Sequence, residues 1–111
     1  QGAGWLTMEE VKWKSNGQIT THSPSTYKIP AVNDMPENFI VEIFKEGKNK
    51  ENVVNKSKTT GEPPLMNAMS VFFAIKDAIS SVGNYDITPT INAPATPEKI
   101  LMSINNLKAK L

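Results

Sequence analysis

Between Leu65 and Val82 the chain carries apolar side chains on nearly every side of a helix, and that stretch limits what the rest can be. Leu65, Ala68, Met69, Phe72, Ile75, Ile79 and Val82 recur at helical spacing along one side. Met66, Val71 and Phe73 widen that surface, leaving Asn67, Ser70, Asp77 and Ser81 as a narrow polar stripe. A helix this apolar belongs inside a larger packed body. The chain has 111 residues, enough for one small domain with a moderate core. Gly83-Asn84 supplies a C-terminal stop.

Directly in front of this helix stands Gly61-Glu62-Pro63-Pro64. Two proline rings fix their own φ and remove two backbone donors, while Gly61 opens dihedrals closed to other residues. A single carboxylate on stiff backbone has two readings. Glu62 is a general base aimed at a reacting group, or an acid placed where the helix dipole favours it.

The remaining segments predict an α+β fold. Glu9 to Thr21 reads as a β-hairpin, with Asn16-Gly17 as a type I′ turn, Val11 and Trp13 on one face and Lys12 and Lys14 on the other. An irregular stretch from His22 to Asn38 holds Pro24, Pro30 and Pro36. Phe39 to Phe44 is the clearest strand, apolar on both faces, and Asn52 to Asn55 offers a second short one. After a Pro/Thr/Asn-rich linker from Asp86 to Ala95, Thr96 reads as an N-cap with Pro97 at the first helical position. Ile100, Ile104, Leu107 and Leu111 then stripe a last helix. The sum is a hairpin, one or two further strands, a buried central helix and a C-terminal helix. Its apolar faces outnumber the partners available.

Composition removes several classes of function. All 12 basic residues are Lys, against 11 acids. With no Arg, and with Glu46 and Glu51 interrupting the run Lys48, Lys50, Lys56 and Lys58, no nucleic-acid partner is expected. The absence of Cys excludes thiolate metal sites and Cys nucleophiles within the chain. His22 stands alone in a loop context, so no metal ligand set is read here. No apolar run spans a membrane and no signal peptide is visible, which predicts a cytoplasmic protein. The opening Gln1-Gly2-Ala3-Gly4-Trp5 lacks an initiator Met and starts inside a structured pattern, so a fragment is expected.

Taken together, the blocks point further than any one of them. Gln-Gly-x-Gly at 1–4, Leu6-Thr7-x-Glu9-Glu10, Pro24-Ser25-Thr26-Tyr27-Lys28-Ile29-Pro30 and Gly61-Glu62-Pro63-Pro64-Leu65 are followed by Ser70 to Ile79 and Pro94 to Ile100. In that order and spacing, residues 1–111 resemble the C-terminal portion of the molybdopterin-binding domain of xanthine dehydrogenases. The related aldehyde oxidases share the Gly-Glu-Pro-Pro and Thr-Pro-Glu-Lys blocks. The Ser-Thr-Tyr-Lys-Ile-Pro loop favours the xanthine dehydrogenases over them.

The resemblance implies a molybdenum hydroxylase that oxidises hypoxanthine and xanthine at an electrophilic ring carbon. Glu62 would be the active-site base beside the molybdenum-pterin cofactor, taking the proton of the attacking hydroxyl. Gln1 matches a family residue near the pterin, Gly2 would allow close backbone approach to it, and Gly61 would shape the turn before Glu62. Iron–sulfur clusters and FAD are expected in other domains or subunits. Asn67 stands where relatives usually carry an apolar residue. The family's substrate-holding Arg, Glu and Phe residues have no counterpart in this chain. The isolated chain is therefore expected to lack activity and bound molybdenum, needing the remaining molybdenum-domain segments as partners. Two alternative readings are a fragment of an aldehyde oxidase-like hydroxylase acting on aldehydes and N-heterocycles, and an inactive free-standing module that self-associates through its spare apolar surface.

Overall fold

The computed structural model describes residues 1–111. It contains three α-helices, α1 (Gly2–Thr7), α2 (Pro63–Ser81) and α3 (Pro97–Lys108), with two short 3₁₀ turns at Val32–Asp34 and Val54–Lys56. There is no sheet: the sole β feature is one antiparallel bridge between Trp13 and Ile19.

The helix α1 is short and half glycine at its start, a composition with poor intrinsic helicity. It forms because it docks. Gly2 and Gly4 are buried, and α1 lies against α2. A Cβ at Gly2 would overlap the Pro64 carbonyl and stand 2.8 Å from the Ala68 Cβ, so glycine is what lets the two backbones meet. The other end of α1 is tied to the linker before α3, where the Ala95 N–H donates to the Leu6 carbonyl at 2.7 Å.

The helix α3 follows its sequence signals closely. Thr96 is extended and its hydroxyl oxygen accepts from the Lys99 N–H at 3.4 Å, with Pro97 next in line. Ser103 turns inward to donate to the Thr90 carbonyl at 3.0 Å, binding the helix to the linker that precedes it. Leu107, 2 % exposed, packs over Gly83 at the C-terminal end of α2.

The buried apolar residues are Ala68 and Ile79 of α2, Ala95 and Leu107. This core is small, with 11 of 111 residues buried, and is spread along α2, Ala68 lying against α1 and Leu107 of α3 against Gly83 beyond the other end. From Lys28 to Glu62 every residue except Asn49 is exposed. The accessible surface is 9128 Å², where a compact chain of 12.2 kDa exposes about 6,100 Å². The Cα radius of gyration is 18.1 Å, against about 13 Å for a compact domain of this length.

These findings correct the α+β expectation. The fold is helical, and none of the predicted strands forms. The hairpin between Glu9 and Thr21 is reduced to its turn and a single bridge. Of the expected turn pair only Gly17 has positive φ (82°), and Lys14 and Gln18 close a three-residue loop. Phe39 to Phe44 lies without a neighbour, and Asn52 to Asn55 gives way to a 3₁₀ turn with Asn55 and Lys56 at left-handed φ. The physical reason is common to all three. A helix completes its hydrogen bonds within itself, whereas a strand needs a second strand, and two strands alone are marginal in water.

The helix α2 itself is present, but much of its apolar surface is bare, so it is not the buried helix expected. Met66, Phe73, Leu65 and Met69 are 61, 58, 45 and 41 % exposed.

Candidate functional site

Glu62 occupies the N-cap position of α2, and the two prolines after it decide what its side chain can do. An N-cap side chain normally accepts from the N–H of the second or third helical residue. Here the first two positions are Pro63 and Pro64, which have no N–H, and the N–H of Leu65 bonds the Glu62 carbonyl at 3.1 Å. The carboxylate consequently caps nothing, and it joins none of the three ion pairs. It is exposed to solvent at the positive end of a 19-residue helix dipole. The position suits an acid favoured by the dipole, and it equally leaves the carboxylate without a hydrogen-bond partner in the chain.

Gly2 belongs to the same corner, since it is packed on Pro64, two residues from Glu62. Gln1 stands exposed at the N-cap of α1, its carbonyl accepting from the Trp5 N–H at 3.3 Å. The structure thus brings Gln1, Gly2 and Glu62 to one end of the molecule, at the adjoining starts of α1 and α2. The close approach that Gly2 permits is taken up by α2 within the chain. Gly61 is different: its φ is outside the left-handed region, and a Cβ built there meets nothing within 4 Å. Nothing within this chain requires glycine at 61.

Two clusters of charge lie elsewhere. The Lys28 ammonium donates to the Asp34 carboxylate at 2.6 Å, and the same oxygen accepts from the Ala31 N–H at 2.8 Å. The Lys28 hydrogen bond first, then that of Ala31, holds the Asp34 carboxyl below its ordinary value. Glu10 is likewise lowered, chiefly by its hydrogen bond from Lys12 and more weakly by Lys99. Asp34 borders an apolar cleft of about 270 Å³ between the helices, with Met8, Val71, Ile75 and Ile100 among its walls. Sequence reasoning passed over Asp34. The signal was there, in an acid three residues after Ala31 that reaches back to the backbone N–H. In the Pro24–Pro30 loop, Thr26 exchanges hydrogen bonds with the Ser23 backbone, and the Ser25 hydroxyl meets that of Ser23 at 2.9 Å. Those hydroxyls shape a turn.

No group of three or more His, Asp or Glu side chains is placed to hold a metal ion, and His22 is exposed. No helix is long and apolar enough to cross a membrane. The donors at the Glu62 corner are one carboxylate and one amide, both open to solvent, and they do not by themselves enclose a pterin or a metal.

Residues 1–36 match the family model of the molybdopterin cofactor-binding domain. Over 93 % of its length the chain is 44 % identical to a xanthine dehydrogenase of Oryza sativa subsp. japonica. It is 46 % identical over 90 % of its length to a xanthine dehydrogenase/oxidase of Felis catus, and 44 % identical over 93 % to xanthine dehydrogenase 1 of Arabidopsis thaliana. Each match covers 8 % of the relative. The kinship of the chain is thus with the molybdopterin cofactor-binding proteins as a class. Within that class it is with the xanthine dehydrogenases, oxidoreductases of which it matches a small part.

Proposed function

We propose that residues 1–111 serve as the C-terminal portion of the molybdopterin-binding domain of a molybdenum hydroxylase acting on hypoxanthine and xanthine, to which they contribute Glu62 as the active-site base. The observation that supports this most is the release of the Glu62 carboxylate by Pro63-Pro64. A carboxylate without a capping partner keeps both oxygens free to accept a proton, while α1, packed through Gly2, steadies the backbone that carries it. When bound, the molybdenum-pterin cofactor supplies the two-electron redox chemistry. The part of this chain is to hold the base at a helix start and to take up the proton as the substrate is hydroxylated. Gln1, exposed at the start of α1, would donate its side-chain amide to the cofactor. Purine-holding residues, most cofactor contacts, iron–sulfur clusters and FAD are assigned to segments beyond these 111 residues.

The test is Glu62→Gln in a full-length enzyme carrying this segment. Purine turnover is expected to fall by about 10²–10⁴, the usual contribution of a positioned base. The helical circular dichroism should not change, because the carboxylate makes no structural bond. A variant that keeps wild-type turnover overturns the assignment, as would stoichiometric molybdenum and purine turnover in the isolated chain.

A further inference from the structure

The loop between Trp13 and Ile19 carries the one asparagine of this chain that is followed by glycine, Asn16-Gly17. Lys14, Ser15, Asn16, Gly17 and Gln18 are all exposed, and none has an apolar side chain. Unlike the bare face of α2, this polar tip needs no cover from the rest of a longer protein. Three features of the tip bear on the chemistry of Asn16. Gly17 has a φ of 82°, and a Cβ built there meets nothing within 4 Å, so no side chain crowds its peptide. The Asn16 side-chain carbonyl accepts from the Gln18 N–H at 3.1 Å, which keeps the carboxamide beside its own backbone. That donor also meets the negative charge that would develop on the oxygen if a nucleophile added to Cγ. The Gly17 N–H is engaged with the Lys14 carbonyl at 3.0 Å, and a single bridge closes the loop behind it. Release of that nitrogen therefore takes local opening of an exposed tip and not unfolding.

We propose that Asn16 is a site of spontaneous deamidation through a cyclic imide. The Gly17 backbone nitrogen loses its proton to solvent hydroxide and adds to Asn16 Cγ. The Cγ–Nδ2 bond then breaks, and the departing nitrogen takes a proton from water to leave as ammonia. Water next opens the ring at either carbonyl. Cleavage of the newly formed Cγ–N bond leaves Asp at position 16. Cleavage of the original peptide bond leaves isoaspartate, with the main chain running through the former side chain. Overall an amide and water become a carboxylic acid and ammonia, so no oxidant or cofactor is needed. Either product takes the balance from 12 Lys against 11 acids to 12 against 12, and the formal net charge from +1 to 0. The isoaspartate also inserts a methylene into the loop that the Lys14 N–H closes on the Gln18 carbonyl at 2.9 Å. That lengthening works against the Trp13–Ile19 bridge.

The test is peptide mapping of a full-length enzyme carrying this segment, aged at neutral pH and body temperature. The peptide holding residue 16 should gain about 1 Da, the change from amide to acid, and split into two chromatographic peaks. One of the two should halt stepwise Edman degradation at residue 16, the mark of isoaspartate. Conversion there should exceed that at any other asparagine of the segment by about tenfold, because every other one precedes a residue whose Cβ hinders the attack. The rate should rise with pH, since the attacking nitrogen must first lose its proton. Asn16→Gln should remove the products at 16 and keep the helical dichroism, because residue 16 lies in no helix. An unchanged mass at 16 overturns the proposal. If the free peptide Lys14–Gln18 converts under the same conditions while the enzyme does not, the turn protects Asn16, and the proposal falls for that reason. Equal conversion at several asparagines, or conversion at 16 only in urea, likewise refutes it.

Discussion

Two glycines near Glu62 have opposite relations to their surroundings, and the difference can be measured. At Gly2 an added methyl runs into the Pro64 carbonyl and the Ala68 methyl, backbone and core that cannot step aside. Gly2→Ala is expected to destabilise the isolated chain by about 1–3 kcal/mol, the usual cost of overpacking, read as an earlier urea midpoint. At Gly61 the space is empty and φ is ordinary. Gly61→Ala should leave stability unchanged or raise it by up to about 1 kcal/mol, by narrowing the unfolded ensemble. A full-length enzyme that lost activity with Gly61→Ala would show that the glycine serves what lies opposite Glu62. Glu62 obeys a similar local logic, since its freedom follows from the two donors that Pro63 and Pro64 lack.

At the scale of the element, α3 stands on its cap and α1 on its contacts. Removing the Thr96 hydroxyl leaves the first turn of α3 without its side-chain acceptor, and Thr96→Ala should cost about 1 kcal/mol in thermal unfolding. The loop from Lys28 to Asp34 is held by charge and responds to acid. Asp34 has a folded-state pKa lowered below 3.8, so the folded state binds its proton less readily than the unfolded state does. Its contribution is present above the ordinary value and is lost as pH falls through the folded one. Amide exchange of Ala31 should accelerate as pH falls through the lowered folded-state pKa of Asp34, after correction for intrinsic rates. Lys28→Met should move that onset to higher pH, because the Lys28 hydrogen bond is the largest cause of the lowering.

For the whole molecule the governing fact is surface. A dilute monomer should scatter with a radius of gyration near 18.1 Å and not near the 13 Å or so of a compact domain. Met66, Phe73 and the Phe39–Phe44 segment should bind an apolar fluorescent dye, and a full-length enzyme should bind far less per mole of this segment. A chain that matches 8 % of its relatives and leaves its central helix half bare has the surface of a part whose faces are completed elsewhere. Expected stability is correspondingly low, since few side chains leave water to offset the entropy of ordering the backbone.

What could be read from residues alone was local or relational. The helical stretch from Leu65 to Val82 appears as Pro63–Ser81, and the Thr96-Pro97 start of α3 stands where the cap and the proline put it, because each rests on bonds made within a few residues. The order of the blocks carried the kinship with xanthine dehydrogenases. The carboxylate of Glu62 could be singled out because prolines declare their missing donors in the sequence. The tertiary structure decided what depends on distant partners. The strands expected at 39–44 and 52–55 have none within reach, and the two arms of 9–21 meet only each other at one bridge, so patterns sound for β structure produce a bare segment, a 3₁₀ turn and a closed turn. Gly2 proved to be a contact for α2, which no reading of Gln1 to Gly4 alone could reveal. Helical hydrogen bonds close within the chain segment that makes them, whereas strand pairing and close packing exist only once a second surface arrives.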